Sequence, residues 1–282
     1  MYLTNIDLPA GFVAPVRKVS PFETDYSSMG GLTAARAAPY LYYAVEAGTF
    51  LRSTTLYQVH EQTGAVMRRA FLEDTVGKVV AQDGRPYLVS ARISMTETRQ
   101  PLSVARLIEG RGDDTLVPVG AITLTPDIAA LITEPGFAAA ATSQGIVVFH
   151  QPLKEKPISN VILQRVDTGP PLRLARTVTL PAGYADSIWD TLEVGADLYL
   201  ALPLWRESIY ARETHVTRLD LQTLKVKSGW RRLSSPDITH SFQPLLARSG
   251  GRLLVVWRNW NSDASGLGPG HDIKLRCSPQ SW

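Results

Sequence analysis

A chain of 282 residues, 44% hydrophobic and 20% charged, is long enough to bury a large core and lies far from disordered compositions. Its net charge of +3, from 29 basic and 26 acidic residues, is a small excess and not a basic stripe, so nucleic acid is not an expected partner. A single cysteine, Cys277, excludes an intrachain disulfide and a multi-cysteine metal site.

The N-terminal stretch "MYLTNIDLPAGFVAPVRK" lacks the basic region and apolar run of a Sec signal. No segment approaches the ~18 apolar residues of a membrane span. These features predict a soluble protein, cytoplasmic or incorporated in a particle such as a virion. Residues 1–22, with "FVAPVRKVSPF" (12–22), belong to no repeat. Beyond them helical periodicity is nearly absent. Short runs rich in Val, Leu, Tyr and Thr alternate with Gly, Pro, Asp and Asn, which is the all-β pattern.

One unit recurs five times: a small-residue strand, a tight turn and an apolar strand. It reads "GLTAARAAPYLYYAVEA" (31–47), "GKVVAQDGRPYLVSARI" (77–93), "FAAAATSQGIVVFHQ" (137–151), "LEVGADLYLALPL" (192–204) and "PLLARSGGRLLVVWR" (244–258). The second strands begin near Tyr40, Pro86, Ile146, Leu198 and Leu253, about 46 to 60 residues apart, the period of a four-stranded propeller blade. The first four copies continue into third and fourth strands, with turns at Gln62-Thr63-Gly64, Arg111-Gly112-Asp113-Asp114, Asp167-Thr168-Gly169 and Gln222-Thr223. The fifth has three strands, about 243–248, 252–258 and 271–277. The prediction is an all-β, five-bladed β-propeller of four-stranded antiparallel blades in a single domain spanning 1–282. Its blades fall at about 30–72, 77–120, 137–180, 190–233 and 242–278. A strand within 1–22 is expected to complete the last blade beside Ile273–Cys277, because closing the ring removes an exposed edge.

The last copy carries "VVWRN" (255–259) followed by "DIKLRCS" (272–278). It resembles a blade of the sialidase-like (Asp-box) propellers, in which an apolar strand ending in Trp precedes a strand of the form Asp-Ile-x-Leu-x-x-Ser. The box itself departs from that pattern: Ser278-Pro279-Gln280-Ser281-Trp282 has neither its Asp nor its Gly. The resemblance implies a propeller blade and carries no activity with it.

In such a fold the loops between blades, and those between strands two and three of a blade, crowd one face. Several of the latter are near or above ten residues, a length that is usually functional. Two readings of this face follow. Carboxylates recur in the inter-blade loops (Asp25, Asp74, Glu134, Asp186 or Asp190, and Asp237). Acids converging there serve as nucleophile, acid and modulator in five-bladed furanosidases, and Asp25, Asp74 and Asp190 are the candidates for such a glycosidase or for a sialidase. The same residues also suit the capping of turn amides. Arg52, Arg92, Arg206 and Arg258 fall after second strands, where converging guanidinia bind carboxylate, or where they are solvated loop charge. Trp189, Trp205, Tyr210 and Trp260 offer sugar-stacking platforms or interface anchors.

The five histidines have no close-set partners, so neither zinc nor any other cofactor is expected. Local motifs of the catalytic acids are missing. The leading expectation is therefore a non-catalytic binding or structural module that engages a protein partner or a glycan through Trp189, Trp205, Arg206, Tyr210, Arg258 and Trp260. It would work as a component of a larger assembly such as a phage tail, or as a self-associating ring. The glycosidase is the alternative.

Overall fold

The computed structural model describes residues 2–3, 6–7, 12–13, 17–18, 29–47, 52–93, 99–110, 115–129, 137–150, 160–181, 190–206, 211–233, 239–249, 252–261 and 270–277. Every regular element among them is a strand. Four two-residue strands come first: β1 (Tyr2–Leu3), β2 (Ile6–Asp7), β3 (Phe12–Val13) and β4 (Arg17–Lys18). Blade 1 follows as β5 (Met29–Ala37), β6 (Tyr40–Ala47), β7 (Ser53–His60) and β8 (Val66–Leu72). Blade 2 is β9 (Thr75–Gln82), β10 (Arg85–Arg92), β11 (Arg99–Glu109) and β12 (Leu116–Ala129). Blade 3 is β13 (Phe137–Thr142), β14 (Gly145–His150), β15 (Asn160–Asp167) and β16 (Arg173–Pro181). Blade 4 is β17 (Asp190–Val194), β18 (Asp197–Arg206), β19 (Ala211–Asp220) and β20 (Val226–Arg232). Blade 5 is β21 (Thr239–Ser249), β22 (Arg252–Asn261) and β23 (Gly270–Cys277).

Within each blade, strands that follow one another in sequence lie side by side, so each sheet is an antiparallel meander. Five such sheets in chain order make the fold an all-β five-bladed propeller. Among the described residues the fifth sheet has three strands, and those within 1–22 pair with each other; the closing strand expected within 1–22 lies outside the described residues. Tyr2 faces Lys18 and Leu3 faces Arg17, while Ile6 faces Val13 and Asp7 faces Phe12, in two antiparallel pairs.

Burial follows strand position. The second strand of blade 3 is buried at every residue, because a blade is covered on both faces. The fourth strands of blades 1, 3 and 4 instead alternate between exposed and half-buried residues. β12 runs nine residues past the expected end of its blade and holds Pro126 near its end; proline is tolerated on an outermost strand, where one row of backbone groups needs no partner. Tight turns supply the reversals: Asp83 (φ 51°) and Gly84 (φ 68°) connect β9 to β10 with the two positive angles of a hairpin turn. Gly145, at φ 115°, leaves no room for a side chain, since a Cβ there would stand 2.5 Å from the Val166 carbonyl oxygen.

The chain divides into two compact units. The first is Met1–Thr98 with Leu102–Thr123 and Ala130–Thr133. There Tyr42, Ala44 and Leu56 of blade 1 pack against Val79, Leu88, Leu107 and Leu116 of blade 2. The second unit is Arg99–Pro101 with Leu124–Ala129 and Glu134–Trp282. Its larger cluster joins Phe149, Val161 and Leu163 of blade 3 to Leu198, Leu200, Leu202 and Leu219 of blade 4. A further cluster joins Tyr199, Ala201 and Val216 to Leu253, Val255 and Trp257 of blade 5. Among the described residues no helix is long and apolar enough to cross a membrane.

Candidate functional site

In the first unit, the polar groups at the long-loop edge gather where blade 1 meets blade 2. Chain alternation puts Glu46, Thr54 and their neighbours Tyr42, Ala44 and Leu56 on the face of blade 1 turned toward blade 2. Thr54 is fully buried, and its hydroxyl works twice. It donates to the Thr75 carbonyl at 2.7 Å and accepts the Gly77 N–H at 2.8 Å. Gly77 has no side chain because a Cβ would press on Leu88 at 2.9 Å. The hydroxyl of the preceding residue, Ser53, accepts the Asp74 N–H at 3.2 Å. On its other side Asp74 offers its carbonyl to the Ile93 N–H at 2.6 Å.

Asp74 is thereby fixed by its backbone from both neighbouring strands. It sits in the left-handed region at φ 47°, a conformation Asp tolerates better than most residues and one that clusters at functional sites. Its side chain is half-buried, and among the described residues the carboxylate makes no hydrogen bond or ion pair. The backbone is held in place, and among the described residues the carboxylate is unengaged.

Asp190, the counterpart before blade 4, is placed differently. One carboxylate oxygen accepts the Thr191 N–H at 2.9 Å and the other accepts the Leu246 N–H at 2.6 Å. It clasps the inner strand of blade 5 to that of blade 4. Asp25, Trp189 and Tyr210 lie outside the described residues. Trp205 and Arg206 end β18, opposite Arg212 and Ala211, while Arg258 and Trp260 lie in the last part of β22, opposite Phe242 and His240. All four occupy the long-loop edge of their blades.

Several charged groups in this layer escaped the reading of loops because they lie inside strands. Glu46 is buried, with Arg52 Nη1 at 3.9 Å. Glu213, also buried, holds Arg232 at 3.0 Å and has His215 Nε2 at 3.8 Å. Burial pushes the His215 pKa down, against the opposing pull of its bond to the Glu213 carbonyl. His150 is wholly buried at the end of β14; its Nε2 meets Gln164 Oε1 at 3.1 Å, Gln164 donates on to Thr177, and burial lowers its pKa. Glu46 and His150 each interrupt an apolar run, whereas Glu213 and His215 lie in a largely polar strand that carries no such mark. Among the described residues no three His, Cys, Asp or Glu side chains come close enough to hold a metal ion.

No protein-family model matches the chain, and no curated protein sequence does either. Among solved structures it is similar to an exo-β-1,3-galactanase from Clostridium thermocellum, at 10% identity and a TM-score of 0.51 over 98% of this chain. The chain spans 62% of that protein's length. It also matches the β-propeller domain of the Trilobed protease from Pyrococcus furiosus (10% identity, TM-score 0.45, 88% of this chain and 69% of that one). A GH43 endo-arabinanase from Bacillus licheniformis matches at 10% identity and a TM-score of 0.42, over 86% of this chain and 92% of that one.

The likeness is one of fold. The leading expectation of a non-catalytic binding or structural module is corrected to this extent: the comparison that runs along nearly the whole chain is with a galactanase, and none of those reported is with a structural protein.

Proposed function

We propose that the chain is a glycoside hydrolase with Asp74, at the long-loop edge, as one reacting carboxylate; Asp25, outside the described residues, is the candidate from the sequence for the second. The observation that carries this is the state of Asp74: its backbone is clamped by Ser53 and Ile93, φ is left-handed, and the carboxylate is unengaged among the described residues. A side chain kept for turn capping spends its oxygens on amides, as Asp190 does. Asp74 keeps both oxygens for something else.

Hydrolysis of a glycosidic bond needs two carboxyl groups. One gives its proton to the leaving oxygen as the bond to the anomeric carbon breaks. The other takes a proton from the attacking water, or attacks the anomeric carbon itself before water releases the sugar.

The test is turnover of β-1,3-galactan, the polymer named for the galactanase, and of a panel of aryl furanosides, pyranosides and sialosides. The native chain should release sugar from at least one of them, and Asp74→Asn should lower the rate about 100-fold or more with the melting temperature nearly unchanged. No turnover anywhere on the panel, or full activity in Asp74→Asn, contradicts the proposal.

A further inference from the structure

We infer that the seam of blades 1 and 2 recognises a sugar carboxylate, gripped by Arg52 and Arg92 beside Asp74. This rests on the hydrolase reading and names its substrate class: glycans that carry a carboxylate, whether uronate or sialate.

Arg52 is the first observation. Its side chain is only 16% exposed, and its one ion pair is with Glu46 at 3.9 Å, too long for a hydrogen bond. Among the described residues it makes no hydrogen bond at all. A guanidinium has five N–H donors in a planar fork. Glu46 faces its charge from 3.9 Å, and among the described residues no acceptor engages the fork. The acceptor that fits a fork best is a carboxylate, which takes two parallel hydrogen bonds at once.

Arg92 is the second. It is the last residue of β10 and stands opposite Thr75, next to Asp74. Leu88, Ser90 and Arg92 share one face of that strand, and Leu88 packs into the cluster shared with blade 1. Arg92 is therefore turned toward the blade that carries Arg52. It is exposed, and among the described residues it has neither a hydrogen bond nor an ion pair. The turn that presents Asp74 is tied to both arginines: Ser53, the neighbour of Arg52, accepts the Asp74 amide, and Ile93, the neighbour of Arg92, donates to the Asp74 carbonyl. One backbone clamp thus joins the strand ends that carry Arg52, Asp74 and Arg92. Arg206 and Arg258 belong to the other unit and have no part in this grip.

Binding measured on Asp74→Asn, which separates recognition from turnover, tests the inference. The probes are the methyl glycosides of galacturonate, glucuronate and sialate, with methyl galactoside as the neutral control. At least one acidic probe should bind about tenfold or more tightly than methyl galactoside, with affinity falling as salt rises. Arg92→Ala should then lose about tenfold or more, because the residue is exposed and its removal leaves the fold alone. Arg52→Lys keeps the charge facing Glu46 but not the fork, and should weaken the acidic probe at an unchanged melting temperature. Which acid binds decides between uronate and sialate. Equal binding of acidic and neutral probes, no binding of any acidic probe, or native affinity in both variants overturns the inference. The two readings fail separately. Turnover confined to neutral glycosides leaves the hydrolase standing without its acidic substrate, whereas tight acidic binding with no turnover on any substrate removes the hydrolase and keeps the site.

Discussion

Replacing Thr54 with Val asks whether the two blades of the first unit are joined by a hydroxyl or only by packing. The two side chains have nearly the same shape, so the change removes the bond to the Thr75 carbonyl and the bond from the Gly77 amide while leaving the space filled. Gly77 is buried, and its unpaired N–H costs about 1–3 kcal/mol; the half-buried Thr75 carbonyl adds roughly 1 kcal/mol. The expected total is about 2–4 kcal/mol. Thr54→Ser is the control. It keeps the hydroxyl and loses one methyl group, a cost of about 1 kcal/mol. In a domain of this size 1 kcal/mol moves the melting temperature by roughly 2–4 °C, so Val should melt about 5–12 °C below native and Ser only about 2–4 °C below. Thermal unfolding followed by near-UV circular dichroism reads both. A Val variant that melts with or above the Ser variant refutes the hydroxyl link between the two blades.

Other outcomes follow from the same structure. Asp190→Ala strips the partners from the Thr191 and Leu246 amides and should cost about 1–3 kcal/mol, read as a fall in denaturation midpoint; an unchanged midpoint contradicts the clasp. Gly145→Ala should destabilise by more than about 1 kcal/mol, since the left-handed φ and the Val166 carbonyl both oppose a Cβ, and native-like melting would show that this turn can relax. His150 is held below its ordinary pKa by burial, so the unfolded chain binds the proton first and stability falls as pH drops through the unfolded value toward the folded one. The loss in melting temperature between about pH 7.5 and about pH 5.5 should shrink in His150→Gln, and an equal loss in both proteins contradicts the assignment. Asp220, lowered to about 2 by the Thr223 hydroxyl and amide and by Lys227, contributes stability that disappears as pH falls from 3.8 toward 2. Asp220→Asn should flatten that acid limb of the melting profile, and a limb of unchanged steepness would show that the hairpin does not report this titration.

Much of the architecture was written in the chain as a repeat. "YLYYAVEA" and "GIVVFH" announce second strands because a strand covered on both faces needs no polar alternation, and the Asp83-Gly84 pair marks its hairpin. In the N-terminal segment nothing local shows that Phe12 and Val13 pair back onto Asp7 and Ile6, and the closing strand expected within 1–22 lies outside the described residues. The site was half legible. Asp74 stands out as an acid between blades, but Asp190 looks the same, and only contacts to residues far along the chain separate the unengaged carboxylate from the clasp. Ser53, Thr54 and Thr55 are likewise indistinguishable in "STTLYQVH", although only Thr54 reaches across to Gly77. Glu46 and Glu213 stand at the ends of expected loops, and nothing in the sequence shows that the strands continue through them and bury them.

The central claim is that Asp74 is a reacting carboxylate, and the direct measurement is sugar release by the native chain and by Asp74→Asn and Asp190→Asn on one substrate panel. The account predicts turnover by the native chain, a loss of about 100-fold or more in Asp74→Asn at a nearly unchanged melting temperature, and in Asp190→Asn a lowered melting temperature with turnover retained below it. Native turnover that survives Asp74→Asn and disappears in a stably folded Asp190→Asn would contradict it.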